Sequence, residues 1–203
     1  MNAPVAGNDI GRRQRRKQQT RRDIMAAADA LFAEVGYDDT RTAEIARQAG
    51  ISEPTVFRYF PTKADIAMVA FNEWVDDLVD WFIELIEDRS PYQAVVEMIG
   101  AADSEAFQHT QVRTALGRAL ERPELVSQVF WALDNAVGRL APALAARRSV
   151  SQDDVSAVLD AKLVVAILEV SIRQWLAGHG TNGPLDLVRE CADRLEVLLD
   201  AGT

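Results

Sequence analysis

Apolar positions recur along this chain at intervals of three and four residues, which is the spacing of one helical face. The pattern is clearest in a first stretch whose apolar positions are Ile24, Ala27, Ala28, Leu31, Phe32 and Val35. Gly36 follows, and glycine commonly ends a helix in a left-handed conformation. No stretch alternates apolar and polar residues in the way of a half-buried strand. The patterns therefore predict an all-α protein whose first helix runs from about Thr20 to Val35.

Prolines, glycines and serines divide the rest of the chain into further helical stretches. Thr62 and Asp65 have the spacing of a capping box, which predicts the start of a long helix ending near Asp88. Its apolar residues cover more than one face, so we expect burial on several sides and a direct connection to the N-terminal segment. Later helices are predicted at about residues 92–107, 111–120, 123–147, 152–177 and 184–200.

Residues 40–63 hold two short helical patterns around a tight turn. Ile45 and Ala46 share one face of the first pattern, and Gly50 supplies a left-handed residue after it. Ser52 offers an N-cap oxygen to the second helix, and Pro61 stops that helix because proline disfavours helical geometry in the preceding residue. This order is that of a helix-turn-helix, whose second helix enters a DNA major groove.

The second helix has an inward and an outward side. Its spacing predicts that Val56, Phe57 and Phe60 face the core. The outward positions are Glu53, Pro54, Thr55, Arg58 and Tyr59. Arg58 can bind a guanine edge or a phosphate, and Lys63 suits a phosphate. Glu53 can accept from a cytosine amino group, although we favour an ion pair with Arg58 or another nearby basic residue.

These positions carry a resemblance to a known family. The motifs Gly36-Tyr37, Ile45-Ala46, Ala49-Gly50-Ile51-Ser52, Thr55-Val56-Phe57, Tyr59-Phe60 and Lys63 resemble the TetR family of bacterial transcriptional repressors over residues 24–66. The resemblance implies an N-terminal three-helix helix-turn-helix DNA-binding domain followed by a helical ligand-binding and dimerisation domain. It also implies that the first outward residues of the second helix reach bases, and that Tyr59 and Lys63 hold phosphates.

Three positions depart from the family's usual pattern. Arg41 stands where a Ser or Thr commonly caps the helix, so that capping passes to Thr40 or Asp39, while Thr42 replaces an aliphatic residue. Phe57 stands where Tyr is frequent, which removes a hydroxyl contact with the DNA backbone. The complete set of predicted DNA-binding residues is Arg41, Thr42, Glu53, Pro54, Thr55, Arg58, Tyr59 and Lys63.

Charge is unevenly distributed along the chain, whose net value is −9. Residues 1–64 hold 11 Lys and Arg against 8 Asp and Glu, whereas residues 65–203 hold 11 against 23. A basic segment can still bind DNA because electrostatic contact is screened over about 10 Å.

We predict a basic disordered arm at residues 1–19, a DNA-binding domain at 20–65 and a helical domain at 66–203. The run Arg12–Lys17 is either a solvated tail or, as we favour, an arm along the DNA backbone or in a minor groove.

The stretch from Val155 to Leu176 is apolar on nearly every side. A monomer buries one side of a helix, so a second apolar side implies a partner. We therefore predict a homodimer through the last two helices, which agrees with the resemblance. The alternative is an ordinary core helix within a larger domain.

Aromatic residues in the C-terminal part could line an apolar cavity for an effector. The predicted ligand-binding residues are Trp74, Trp81, Met98, Phe107, Trp131, Asn135 and Trp175, with His109, Arg113 or His179 as further orienting groups. Aromatic residues at helical spacing also fit a plain core, but a cavity is common in the family. Residues 111–123 faintly resemble family members that respond to fatty-acyl thioesters.

Other function classes find little support in the sequence. Residues 178–183 match GxGxxG by letter, yet they follow a helical pattern rather than a strand, so we expect a loop. Neither a metal-ligand cluster nor a cofactor motif is present, and we expect no enzyme.

The sequence predicts a cytoplasmic protein, because it has a single cysteine, Cys191, and lacks both an apolar signal core and a membrane-length apolar run. The expected function is a homodimeric repressor that a small apolar ligand releases from a palindromic operator. The alternatives are an activator or effector-independent DNA-binding protein, or a helical scaffold protein.

Overall fold

The computed structural model describes residues 7–102, 110–120, 122–177 and 184–200, which form helices and contain no strand. The helices are α1 (Gly7–Val35), α2 (Thr42–Gln48), α3 (Glu53–Tyr59), α4 (Lys63–Leu85), α5 (Pro91–Ala102), α6 (Thr110–Leu120), α7 (Pro123–Arg148), α8 (Val155–Leu176) and α9 (Pro184–Asp200). The all-α prediction is confirmed. None of the described helices combines the length and apolar character that a membrane span requires.

The chain divides into two compact units, Met1–Val69 and Ala70–Thr203. We call the first unit the head and the second unit the body, and we describe each by itself. The division lies within α4, four residues beyond the predicted domain boundary at residue 65.

The N-terminal part of α1 differs from the predicted disordered arm. The helix begins at Gly7 rather than near Thr20, so the run Arg12–Lys17 is helical. Arginine, lysine and glutamine are good helix formers, and extending an existing helix needs no new nucleus. Hydrogen bonds from Arg15 Nε to the Gly11 carbonyl (3.3 Å) and from Gln19 to Asp23 (2.8 Å) follow the i,i+4 spacing. The predicted disorder of residues 1–6 lies outside the described residues.

The head is built on the apolar face of α1 that the sequence predicts. Ile24, Ala28 and Leu31 are buried on this face, and α1 packs against α2 while α2 packs against α3. The Phe32 and Tyr37 rings lie 5.4 Å apart between centroids. Val35 ends the predicted stripe but is 46% exposed, so the buried face is one residue shorter than its pattern.

In the body, α7 packs against α8, and α8 packs against α9. Large side chains with almost no exposed surface form the centre of this unit: Phe71, Phe82, Leu125, Leu133 and Leu144. Arg139 on α7 forms ion pairs with Asp76 (3.0 Å) and Asp80 on α4. Exposed ion pairs add little stability individually, so apolar burial is what holds these helices together.

The turn between α7 and α8 is fixed by two residues. Ser149 ends α7 in a left-handed conformation with φ of 57°. Asp154 caps α8, where its carboxylate accepts from the backbone N–H groups of Ser156 (2.9 Å) and Ala157 (3.3 Å). The Ser156 hydroxyl also donates to it, and these donors hold the pKa of Asp154 below its ordinary value. The start of α8 is therefore set by local hydrogen bonds.

Candidate nucleic-acid interface

The turn between α2 and α3 has the geometry that the sequence predicts. Gly50 has a φ of +68°, which is the left-handed region. The backbone N–H of Ile51 donates to the Ala46 carbonyl (3.0 Å), and that of Gly50 donates to the Arg47 carbonyl (3.2 Å). This pair of bonds is a Schellman motif, which satisfies carbonyls at the end of α2. The buried methyl side chain of Ala46 leaves room for the two helices to pack closely.

Helix α3 begins after Ser52, as predicted, although the Ser52 hydroxyl does not cap it. The Ser52 Oγ shares a hydrogen bond of 2.8 Å with the Thr55 Oγ1, so both hydroxyls are engaged with each other. The backbone carbonyl of Ser52 starts the helix by accepting from Thr55 and Val56. Glu53 lies in the first turn, where a carboxylate interacts favourably with the helix dipole.

The inward face of α3 is narrower than predicted. Val56 and Phe60, four residues apart, are buried, whereas Phe57 is 46% exposed. The prediction that Phe57 faces the core is wrong. Successive residues are turned by roughly 100° around a helix, and a helix of seven residues buries only one stripe. Phe57 therefore lies on the flank of α3 that also borders solvent.

The side chains at the remaining positions of α3 are exposed or half-buried. Pro54 and Arg58 are exposed, and Thr55 and Tyr59 are half-buried. The Arg58 guanidinium lies 5.6 Å from the centre of the Tyr59 ring, which orients both side chains by a cation–π interaction. In the described part of the chain Glu53 forms no ion pair, either with Arg58 or with another basic residue, so our favoured interpretation of Glu53 is not supported.

Capping of α2 also differs from the prediction. Neither Thr40 nor Asp39 caps the helix, because the buried Thr40 hydroxyl donates to the Gly36 carbonyl (2.7 Å). Arg41 is the N-cap residue by backbone geometry, and the Glu44 carboxylate accepts from its backbone N–H (3.0 Å). The Arg41 side chain is exposed and Thr42 is half-buried. The Arg41 side chain is therefore exposed to solvent, and its contact with DNA stays a prediction.

Lys63 has a different setting from the predicted phosphate ligand. Its Nζ donates to the carbonyls of Tyr37 (2.6 Å), Thr40 (2.9 Å) and Asp38 (3.3 Å). The ammonium also lies 4.3 Å from the centre of the Tyr37 ring. An ammonium has three donors, and three carbonyls engage them. In this structure Lys63 holds the loop between α1 and α2, and its contact with a phosphate stays a prediction.

An apolar cavity of about 90 Å³ lies in the body among α4, α5, α7, α8 and α9. Trp74, Trp81 and Met98 line it, as the sequence predicts for these three residues. Its walls also include residues that sequence reasoning did not single out: Phe82, Leu133, Ala136, Leu168 and Val188. Apolar periodicity marked most of these as core, but it could not show which core residues face a void.

Three other predicted ligand-binding residues do not line this cavity. Trp131 is 61% exposed on α7, and Asn135 is exposed one turn further along the same helix. Trp175 is half-buried near the end of α8 and is not part of the cavity wall. The buried face of α7 is taken by alanine, leucine and valine, which leaves Trp131 and Asn135 on the other side. Phe107, His109, His179 and the Arg113 side chain lie outside the described residues.

A second pocket of about 230 Å³ shares two wall residues, Val95 and Val164, with the apolar cavity. It differs in carrying charge, because the Arg148 guanidinium lies 2.6 Å from the Asp160 carboxylate at its wall. Tyr92 contributes to the same wall. An apolar compartment thus adjoins one whose mostly apolar wall carries an ion pair, and we call the second pocket the polar groove after that pair.

Helix α8 also carries an exposed apolar stripe, one member of which, Leu163, borders the polar groove. Its members recur at helical spacing, namely Val155, Leu159, Leu163 and Val170. Val155 is 81% exposed and Leu159 is 55% exposed, whereas the opposite face buries Ala157, Ala161 and Val165. The two-sided apolar character that the sequence shows is therefore real in three dimensions, and one side has no cover within the described chain.

Family profiles match both parts of the chain. The profile described as "Bacterial regulatory proteins, tetR family" matches residues 24–68, which contain the helix-turn-helix. The profile described as "MftR C-terminal domain" matches residues 90–200, more than half of the chain. The chain belongs to the TetR family. It is a DNA-binding transcriptional regulator of that family, and α3 is its recognition helix.

Individual relatives agree with this assignment. This TetR-family chain is 28% identical to the HTH-type transcriptional regulator TcmR of Streptomyces glaucescens over 191 residues, covering 86% of this chain and 81% of TcmR. It is 32% identical over 115 residues to the putative mycofactocin biosynthesis transcriptional regulator MftR of Mycobacterium tuberculosis, covering 55% of this chain and 57% of MftR. The crystal structure of Thermus thermophilus FadR with lauroyl-CoA shares the fold, with a TM-score of 0.57, 20% identity, and coverage of 88% and 93%. These relatives are regulators rather than enzymes.

The helical form of the basic run changes how it can meet DNA. An α-helix with side chains is about 10–12 Å wide, whereas the minor groove of B-DNA is about 6 Å wide. Insertion into a minor groove, one form of our hypothesis, therefore does not fit the structure. Arg12, Arg13, Arg15 and Arg16 are all exposed on α1, which permits contact with phosphates. That contact stays a prediction.

Replacing these four arginines together by glutamine is expected to weaken binding to every duplex to a similar extent. Glutamine keeps the helix propensity, so the change removes charge rather than structure. The slope of log affinity against log salt concentration should fall by about 0.9 for each phosphate that the variant no longer neutralises. Glutamine at the exposed Lys162 and Arg173 of the body serves as the control. An unchanged slope in the quadruple variant would exclude the phosphate role.

Proposed function

We propose that this TetR-family regulator is a homodimeric repressor that leaves a palindromic operator when an apolar effector binds in its body. The observation that carries the proposal is the apolar cavity, whose described walls consist of aliphatic and aromatic side chains. Apolar side chains around an empty cavity lack packing partners, and an apolar guest supplies them. An apolar effector would therefore bind favourably in this cavity.

The homodimer is supported by the exposed stripe of α8. A set of apolar side chains at i, i+4 spacing is costly to leave in water and fits a second copy of itself across a two-fold axis. TetR regulators bind DNA operators as dimers, and two copies of α3 then read two half-sites. A palindromic operator follows from that symmetry. We place the interface on α8 and α9.

The effector class that fits best is an amphiphile, with an acyl thioester as the leading candidate. Its tail would occupy the apolar cavity and its head group would lie near Arg148 in the polar groove. The lauroyl-CoA complex of Thermus thermophilus FadR supports this choice because that protein shares the fold. The cavity of about 90 Å³ is smaller than the roughly 150 Å³ void known to bind benzene, so an acyl chain requires the helices to move apart. That movement is the physical basis of the proposed release.

An Ala136→Leu substitution tests the cavity as the effector site. Ala136 lines the void on α7, and leucine places three further carbon atoms inside it. We expect affinity for an acyl-CoA panel to fall roughly 10- to 200-fold, the range for misfits of this size in an apolar pocket. Operator affinity without effector should stay unchanged. Calorimetry measures the first quantity, and fluorescence anisotropy of a labelled operator measures the second.

The control is Ala146→Leu, which makes the same change at an exposed position of α7. If Ala136→Leu bound acyl-CoA as tightly as this control and the wild-type protein do, the effector would lie elsewhere. Failure of wild-type protein to bind any acyl-CoA or other apolar compound would favour the alternative function, an activator or effector-independent DNA-binding protein.

A further inference from the structure

Helix α7 contains a weak turn beside the apolar cavity. Pro142 lies inside this helix. Proline has no backbone N–H, so the Gly138 carbonyl, four residues earlier, cannot accept the helical hydrogen bond of that turn. Gly138 has no side chain, and glycine has more backbone freedom than any other residue. Both residues are exposed, so the Gly138 carbonyl can tilt toward water.

The weak turn adjoins the cavity wall on one side and a fixed helix end on the other. Ala136 and Leu140 line the void, before and after Gly138 along the chain. Further on, Arg147 Nε donates to the Ile86 carbonyl (2.9 Å) through a part-buried hydrogen bond, which holds the last turn of α7. A bend between these two parts of α7 would therefore move the cavity wall relative to the fixed end.

The proposed effector requires a movement of this kind. The cavity of about 90 Å³ has no room for an acyl chain, and densely packed helices resist expansion. Helices bend most readily at proline and glycine, where the backbone is held by fewer hydrogen bonds or fewer steric limits. We infer that the turn from Gly138 to Pro142 is a hinge at which α7 bends to enlarge the cavity around an acyl chain. This inference rests on the proposed effector site.

Two substitutions stiffen the hinge in different ways. Pro142→Ala restores the missing hydrogen bond, so that bending must break it, and we expect affinity for lauroyl-CoA to fall roughly 2- to 12-fold. Gly138→Ala restricts the backbone and should lower that affinity roughly 4- to 5-fold. A methyl group at Gly138 meets no heavy atom of the surrounding structure within 4 Å, so this variant leaves the packing unchanged. Calorimetry measures both affinities.

The same variants should change operator release but not operator binding. Without effector, their operator affinity in the anisotropy experiment should equal that of the wild-type protein. The lauroyl-CoA concentration that releases the operator should rise by the factor by which lauroyl-CoA affinity falls, because release draws on the same binding equilibrium.

Xenon distinguishes a stiffer helix from an altered cavity. A single xenon atom can enter an apolar void without the expansion that an acyl chain requires. Its affinity, measured by NMR of dissolved xenon, should be the same in the wild-type protein and in both variants. An equal loss of xenon and lauroyl-CoA affinity would show that the cavity itself had changed and would overturn the hinge.

Gly117→Ala is the matched control, because Gly117 lies inside another helix, α6, and is not part of the described cavity wall. An added methyl group there also meets no heavy atom within 4 Å. This control should bind lauroyl-CoA like the wild-type protein. Wild-type affinity in both Pro142→Ala and Gly138→Ala would refute the hinge alone. A wild-type protein that binds no lauroyl-CoA would refute the proposed effector class and the inference together.

Discussion

A Leu159→Glu substitution is expected to convert the protein into monomers and to abolish stable operator binding. Leu159 lies at the centre of the exposed stripe of α8, four residues from both Val155 and Leu163. In a two-fold interface the new carboxylate occurs twice, and each is moved from water into an apolar contact. An uncompensated buried charge costs about 3–5 kcal/mol, which weakens the dimer by more than about 100-fold. Each monomer then keeps one recognition helix and loses the second half-site.

Analytical ultracentrifugation at micromolar concentration measures the dimer, and anisotropy measures operator binding. The stripe residue is already 55% exposed within one chain, so the variant should keep its helical circular dichroism spectrum. Val96→Glu is the matched control, because Val96 is a similarly exposed apolar residue on α5. The interface on α8 would be refuted by a dimeric Leu159→Glu protein, or by a wild-type monomer that binds the operator.

Leu168 also belongs to the apolar pattern of α8, but the structure shows that it is a poor position for this experiment. Leu168 is half-buried and lines the apolar cavity of its own chain. Glutamate there would place a charge inside the body and unfold it, which would abolish binding without testing the dimer. Leu159 and Leu168 are equally apolar, and only their surroundings separate the two outcomes.

A Lys63→Met substitution is expected to destabilise the head rather than to remove one phosphate contact. Methionine keeps an unbranched apolar stem but leaves the carbonyls of Tyr37 and Thr40 without their charged donor. Hydrogen bonds to charged groups contribute about 1.5–3 kcal/mol each, so the free energy of unfolding of this unit should fall by at least about 2 kcal/mol. For a unit of this size each kcal/mol lowers the melting temperature by roughly 4–8 °C. Operator binding should decline as the head opens.

Salt dependence separates this structural role from the predicted phosphate role. If Lys63 only holds the loop between α1 and α2, the slope of log affinity against log salt concentration stays at the wild-type value while the melting temperature falls. If Lys63 instead binds a phosphate, the slope falls by about 0.9 and the melting temperature does not change. Exposed Arg41 provides the comparison, because Arg41→Gln is expected to show the second behaviour.

Local sequence determined most of the helix boundaries of this protein. The Thr62 backbone N–H donates to the Asp65 carboxylate (2.8 Å) and the Asp65 N–H donates to the Thr62 hydroxyl (3.1 Å), so the predicted capping box exists. The left-handed glycine after α2 and the proline after α3 act over the same short range. Each of these signals involves groups within about four residues, and the chain can satisfy them before any tertiary contact forms. The helix-turn-helix follows from such signals, and the family from the resemblance of the motifs that contain them.

Tertiary structure decided which face of each helix is buried and which stays exposed. The Lys63 ammonium donates to carbonyls 23 to 26 residues earlier in the chain, and local sequence patterns do not predict contacts over that separation. Phe57 is exposed because the short α3 buries only the stripe of Val56 and Phe60, and Trp131 is exposed because smaller residues fill the buried side of α7. Periodicity shows that a helix has apolar faces, but the packing of neighbouring helices determines which face becomes core, which lines a cavity and which is left for a partner.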